Sequence, residues 1–170
     1  VSAHQRNKGK RGEREIASLV AECLGFDVRR RVRQHDGDSD LEGVPGWSIE
    51  VKRHKTALRA QIGAWWYQTI EQARKTHQRP VLLFRRDRDE WRAVWQLAIT
   101  LQVQSASMWE GYAWTVESTV EAWCSVVREV MIAPEFDPRE PPLAAGPGML
   151  AKSPLAGAPG SGSFLEQNHG

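Results

Sequence analysis

Residues 39–53, SDLEGVPGWSIEVKR, read as two strands joined by a tight connection through Gly43-Val44-Pro45-Gly46. If Leu41 shares a buried face with Ile49, an antiparallel register sets Asp40 opposite Glu50. A two-residue turn centred on Pro45-Gly46 would put Leu41 opposite Glu50 instead, so the odd-length loop is preferred. In the second strand Glu50 and Lys52 point one way, and Ile49 and Val51 point into the core.

Upstream, Ile16, Leu19, Val20, Cys23 and Leu24 form one stripe of an amphipathic helix over 11–24, stopped by Gly25. Residues 1–10 are polar and basic and read as a flexible arm. Phe26, Val28, Arg30 and Val32 alternate with Asp27, Arg29, Arg31 and Arg33, which predicts a strand with one cationic face. His35-Asp36-Gly37-Asp38 is a turn-rich loop. Downstream, a helix is expected within 57–77, with Ile62, Trp66, Ile70 and Ala73 on its stripe. Val81 to Phe84 has the pattern of a strand covered on both faces, and Trp91 to Trp95 alternates as the returning strand.

This order divides the chain into an arm (1–10), a core (11–96), an extension (97–132) and a tail (133–170). Within the extension 97–117 is ambiguous between short helix and strand, and a capping box of Ser118 and Glu121 opens a helix over 118–131. The tail holds 7 of the 9 prolines and is expected to be disordered.

The net charge of +2 conceals a split. Residues 1–100 carry 20 Lys and Arg against 13 Asp and Glu, net +7, whereas 101–170 carry 3 against 8, net −5. The basic excess coincides with the core and points to a polyanionic partner. No apolar run is long enough to span a bilayer, and the polar N-terminal stretch does not read as a secretory signal. Two cysteines are too few for a disulfide scaffold or a zinc site, so a cytoplasmic protein is expected.

Two carboxylates meeting across a hairpin make a hard oxygen site suited to Mg²⁺, which binds through one or two carboxylates and keeps several waters. An ammonium beside it, Lys52, can orient an attacking water and offset charge on a phosphorus centre. Phosphodiester hydrolysis is the chemistry implied.

The KGKRGERE run (8–15), SDLEGVPGW (39–47), IEVKR (49–53), EQA (71–73) and PVLLFRR (80–86) follow one another in this order. On these motifs, over roughly residues 8–95, the chain resembles the PD-(D/E)xK nuclease superfamily, and within it the archaeal-type Holliday junction resolvases and their phage-encoded relatives. The resemblance implies an α/β restriction-endonuclease-like core: a mixed central sheet flanked by helices in α-β-β-β-α-β-β order, with an extra C-terminal helix. It also implies that Asp40, Glu50 and Glu13 bind metal (Mg²⁺, with Mn²⁺ a substitute), that Lys52 is the catalytic lysine and that Arg14 contacts phosphate. Ser39 stands where the superfamily pattern has proline, outside the chemistry. Asp36, Asp38 and Glu42 lie close to Asp40 in the same stretch, so an alignment shift of two residues could move the first ligand.

Other residues are secondary candidates. Lys8, Lys10, Arg11, Arg53 and Lys55 adjoin the site and suit a DNA backbone. Glu13 and Glu15 also read as acids complementing a helix dipole in its first turn. Gln72 is a possible active-site residue on the second helix, and His35 and His54 flank the site. A Mg²⁺-dependent endonuclease acting on four-way junctions as a homodimer is the leading expectation. A restriction- or repair-type endonuclease of the same fold and a non-catalytic DNA-binding protein are the other readings.

Overall fold

The computed structural model describes residues 3–32, 39–103 and 107–132. The chain divides into units Val1–Pro134 and Glu135–Gly170. The expected disordered tail and His35, Asp36 and Asp38 lie outside the described residues.

Strand β3 (Trp47–His54) pairs in parallel with β4 (Arg79–Arg86), and helix α2 (Arg59–Thr76) connects them. Strand β5 (Arg92–Gln96) returns antiparallel to β4, and β6 (Thr115–Thr119) lies antiparallel to β5, giving the order β3-β4-β5-β6. This is a mixed α/β sheet. The alternation of β4 sorts its side chains between two cores. Val81 and Leu83 join Ile49, Val51, Ala93 and Trp95 beneath α1 (Ala3–Leu24) and α4 (Val120–Ile132). Leu82, Phe84 and Val94 meet Ile62, Trp66 and Ile70 of α2 on the opposite face. Coverage of both faces explains why β4 is apolar without interruption.

Several expectations are corrected. Residues 3–10 are not a flexible arm but the first turns of α1. Glu13 and Glu15 therefore stand in mid-helix, where a dipole role does not apply. Gly12 is buried, and a Cβ there would lie 3.2 Å from Arg53 Cδ and 3.6 Å from the Trp91 ring. The glycine thus lets α1 approach the sheet closely.

The strand expected over 26–33 shrinks to β1 (Arg29–Arg30), and Val32 is 80% exposed. The hairpin is overturned as well. Strand β2 (Leu41–Glu42) ladders with β1, Arg30 against Leu41, and not with β3. Gly43 causes this: at φ +108° it sits so close to the Asp27 carbonyl that a Cβ would lie 2.2 Å from that oxygen. The turn carries β2 toward β1 and, among the described residues, leaves Ser39 and Asp40 at the edge of β3.

The segment read as an ambiguous extension supplies the fourth strand of the sheet. Before it come a short helix α3 (Leu97–Thr100) and two 3₁₀ turns (Ser107–Glu110 and Tyr112–Trp114). Ser118 pairs with Ala93 inside the ladder, so the cap of α4 falls to Thr119, whose Oγ1 accepts the Ala122 N–H at 3.2 Å. No helix among the described residues is long and apolar enough to cross a membrane.

Candidate active site

β3 is an edge strand of its sheet, and the polar segment before β2 closes that edge. The Asp40 N–H donates to the Ile49 carbonyl at 2.8 Å. The Ser39 hydroxyl accepts the Ile49 N–H at 2.9 Å and lies 2.7 Å from the Leu41 carbonyl. Next, the Val51 N–H donates to Asp40 Oδ2 at 2.8 Å. A side-chain carboxylate thus takes the place of a ladder partner and is held between positions 49 and 51, beside Glu50. The expected meeting of Asp40 and Glu50 is present, reached through this contact and not through a hairpin register. Ser39, which the sequence pattern sets outside the chemistry, is 5% exposed and anchors the residue before the carboxylate.

Glu50 and Lys52 share the face of Leu82 and Phe84, their partners in β4, and so stand on the α2 side of the sheet. Glu50 is 5% exposed and forms an ion pair with Lys52. Burial first, then the neighbouring charge of Glu50, push the Asp40 carboxyl up to about 7. The Val51 N–H and, more weakly, Lys52 act in the opposite sense, while Glu13 adds a smaller upward push. A half-buried carboxylate beside a buried one forms a donor pair whose mutual repulsion a divalent cation would relieve.

Glu13 is close enough to act electrostatically on Asp40, yet its carboxylate is ion-paired with Arg30. Among the described residues no group of three His, Cys, Asp or Glu side chains could hold a metal ion. The three-carboxylate set is therefore not assembled. Asp40 and Glu50 fit a cation that keeps its waters, while Glu13 is held by Arg30 through Oε2. Arg30 was not singled out from the sequence. Its signal was a cation in the inward phase between Val28 and Val32, which calls for a carboxylate facing it.

The remaining candidates separate. Lys10, Arg11 and Arg14 are exposed on α1, and the Lys8 side chain lies outside the described residues. Arg53 points to the other face of β3 from Lys52, where Glu15 lies 3.7 Å from it. Glu15 also pairs with Arg85 and accepts the Trp91 indole N–H at 3.2 Å, so it binds α1 to three strand ends. Lys55 is exposed just past β3. Gln72 is 4% exposed on α2, and its Nε2 has no hydrogen-bond partner. The Ser48 hydroxyl, two residues before Glu50 on the same strand face, is also buried without a partner. His54 is exposed and packs against Trp65 at a tilt of 41°, with ring centroids 4.7 Å apart.

Three comparisons bear on this arrangement. Residues 4–128 match the family described as "Phage putative PDDEXK endonuclease". Protein D14 of Escherichia phage T5 is 24% identical over 112 residues, covering 54% of this chain and 70% of that protein. A solved structure of Hjc from Archaeoglobus fulgidus, a Holliday junction resolvase from an archaeal hyperthermophile, is similar at 19% identity and a TM-score of 0.39. That similarity covers 72% of this chain and 88% of the other. With the match running from α1 into α4 and taking in Asp40, Glu50 and Lys52, the chain belongs to this phage PDDEXK endonuclease family.

Proposed function

We propose that this endonuclease hydrolyses DNA phosphodiesters with Mg²⁺, for which Mn²⁺ can substitute, and that branched DNA such as a four-way junction is its substrate. The observation that carries the reading is the seat of Asp40: Oδ2 held by the Val51 N–H, beside Glu50, with Lys52 on the same strand face. Asp40 and Glu50 would hold the cation, which when bound polarises a phosphoryl oxygen and makes water more acidic. The Lys52 ammonium, ion-paired with Glu50, orients the attacking water and offsets charge developing on the phosphate. Arg30 holds Glu13 beside the pair as a reserve carboxylate. Exposed Lys10, Arg11 and Arg14 on α1 supply backbone contacts. The junction preference and a two-fold homodimer with two active sites follow from the sequence resemblance to junction resolvases, as does work in the cytoplasm of a bacterial or phage-infected cell.

The test is cleavage of a labelled four-way junction beside a linear duplex of the same sequence, in Mg²⁺. Faster cutting of the junction is expected. Equal cutting of both removes the junction preference and leaves the nuclease. If neither is cut, and Glu50→Ala and Lys52→Ala behave as the wild type does, the catalytic reading fails.

A further inference from the structure

On the α1 face of the sheet, Arg53 of β3 and Arg85 of β4 are direct register partners, so their side chains leave neighbouring strands side by side. Both reach Glu15. Arg53 Nη1 lies 3.7 Å from Oε2, and Arg85 grips the carboxylate with both terminal nitrogens, Nη2 donating to Oε2 at 3.1 Å. The Trp91 indole N–H donates to Oε1 at 3.2 Å, and the Arg85 guanidinium lies over the Trp91 ring, 5.1 Å from its centroid.

Two guanidiniums and an indole N–H thus converge on one carboxylate. A single acid does not satisfy them: the Nε atoms of Arg53 and Arg85 are buried without a hydrogen-bond partner. The acids of the nearby turn do not make up the difference. In residues 85–90 three arginines are balanced by Asp87, Asp89 and Glu90, and Asp89 lies 3.7 Å from Arg86. That leaves Arg53 against Glu15, with exposed Arg11 one turn earlier on α1 as the surplus cation.

A planar fork beside a second cation and an indole N–H fits the oxygens of a phosphate as well as those of a carboxylate. The Glu15 side chain is 41% exposed, against 20% and 16% for Arg53 and Arg85, so the carboxylate is the outer layer of the cluster. Its rotation toward water would uncover the donors. Arg53 also follows Lys52 directly in an edge strand, and a duplex lying across that edge presents phosphates to both faces.

We propose that Arg53, Arg85 and the Trp91 indole form a site for a DNA backbone phosphate, and that Glu15 holds the place of that phosphate until DNA displaces it. This rests on the endonuclease reading and adds to it a contact on the sheet face opposite Lys52. Duplex affinity is measured in Ca²⁺ across a salt series, with cutting in Mg²⁺ and melting temperature alongside. The proteins compared are the wild type, Glu15→Gln, Arg53→Gln/Arg85→Gln and the triple variant.

Glu15→Gln is expected to melt lower yet bind DNA about 3- to 5-fold more tightly, the gain from removing one competing charge. The double variant should bind about 5- to 10-fold more weakly, with a salt slope smaller by about 0.9, the loss of one phosphate contact. In that background Glu15→Gln should add no gain. If Glu15→Gln melts lower and binds no more tightly, Glu15 only ties α1 to the sheet and the proposal is overturned. A gain that persists without the two arginines overturns it too, because net charge then explains it. Inorganic phosphate that raises the melting temperature of Glu15→Gln, while all variants bind DNA alike, gives the site to a free anion and overturns the backbone assignment. Failure of every protein to cut DNA, with the binding pattern intact, sinks the endonuclease reading and leaves the phosphate site standing.

Discussion

On one face of β3, Ile49 and Val51 meet Val81 and Leu83 and are 1% and 9% exposed. On the other, Glu50 is 5% exposed and is paired with Lys52. Both faces are dry, yet only the first gains from being so. On the apolar face dryness contributes the transfer free energy of the side chains. On the polar face it sets two carboxylates close together where charge is poorly screened, and the strain shows as the raised Asp40 carboxyl. Burial alone therefore does not mark the core. What separates the faces is whether the neighbours are β-branched and aliphatic, or a Val51 N–H and a lysine ammonium.

The widest separation should come from substituting each face in turn. Lys52→Ala is expected to reduce the cleavage rate by about 100- to 1,000-fold, with the circular dichroism of the wild type. Ile49→Ala, on the neighbouring residue but the opposite face, should cost about 2–5 kcal/mol in urea unfolding, with the cutting rate per folded molecule nearly retained. If Ile49→Ala inactivates a protein that is still folded, the two faces do not act separately.

A subtler effect is expected from Asp40. Its native pKa of about 7 lies above the ordinary 3.8, so between those values the native state holds a proton that the unfolded chain has released. In metal-free buffer its contribution is therefore undiminished below about pH 4 and is lost as pH rises through about 7. Asp40→Asn can keep an oxygen for the Val51 N–H but removes the titration. The melting temperature of the variant should fall less steeply over this range than that of the wild type. Equal slopes would show that burial and Glu50 do not raise the Asp40 carboxyl as described.

The smallest change should be Gly12→Ala, at the polar end of the apolar face. The added methyl meets the flexible Arg53 side chain at 3.2 Å, while replacing a helical glycine gains about 1 kcal/mol. Stability is expected to move by less than about 1 kcal/mol. A loss above about 2 kcal/mol would mean that Arg53, held by Glu15, cannot yield.

Much of the fold was legible because it rests on period. The stripe of Ile62, Trp66, Ile70 and Ala73 belongs to α2, and the run from Val81 to Phe84 became the doubly covered strand. Residues whose role depends on a remote partner were read less well. Ser118 looks like a cap until Ala93 claims it for the ladder. Arg53 looks free for DNA until Glu15 approaches from α1. The strand after Phe26 ends early, since Val32 finds nothing to pack on.

From the sequence alone came the alternation that puts Glu50 and Lys52 on one face and Ile49 and Val51 on the other, because side-chain direction in a strand is a local property. Which face belongs to α2, how Asp40 arrives beside Glu50, and why Glu13 pairs with Arg30 were decided by the tertiary structure. These depend on Gly43 fitting against the Asp27 carbonyl, on Arg30 meeting Leu41, and on the depth to which Gly12 admits α1. Each is a contact between segments far apart in the chain, and local periodicity carries no information about them.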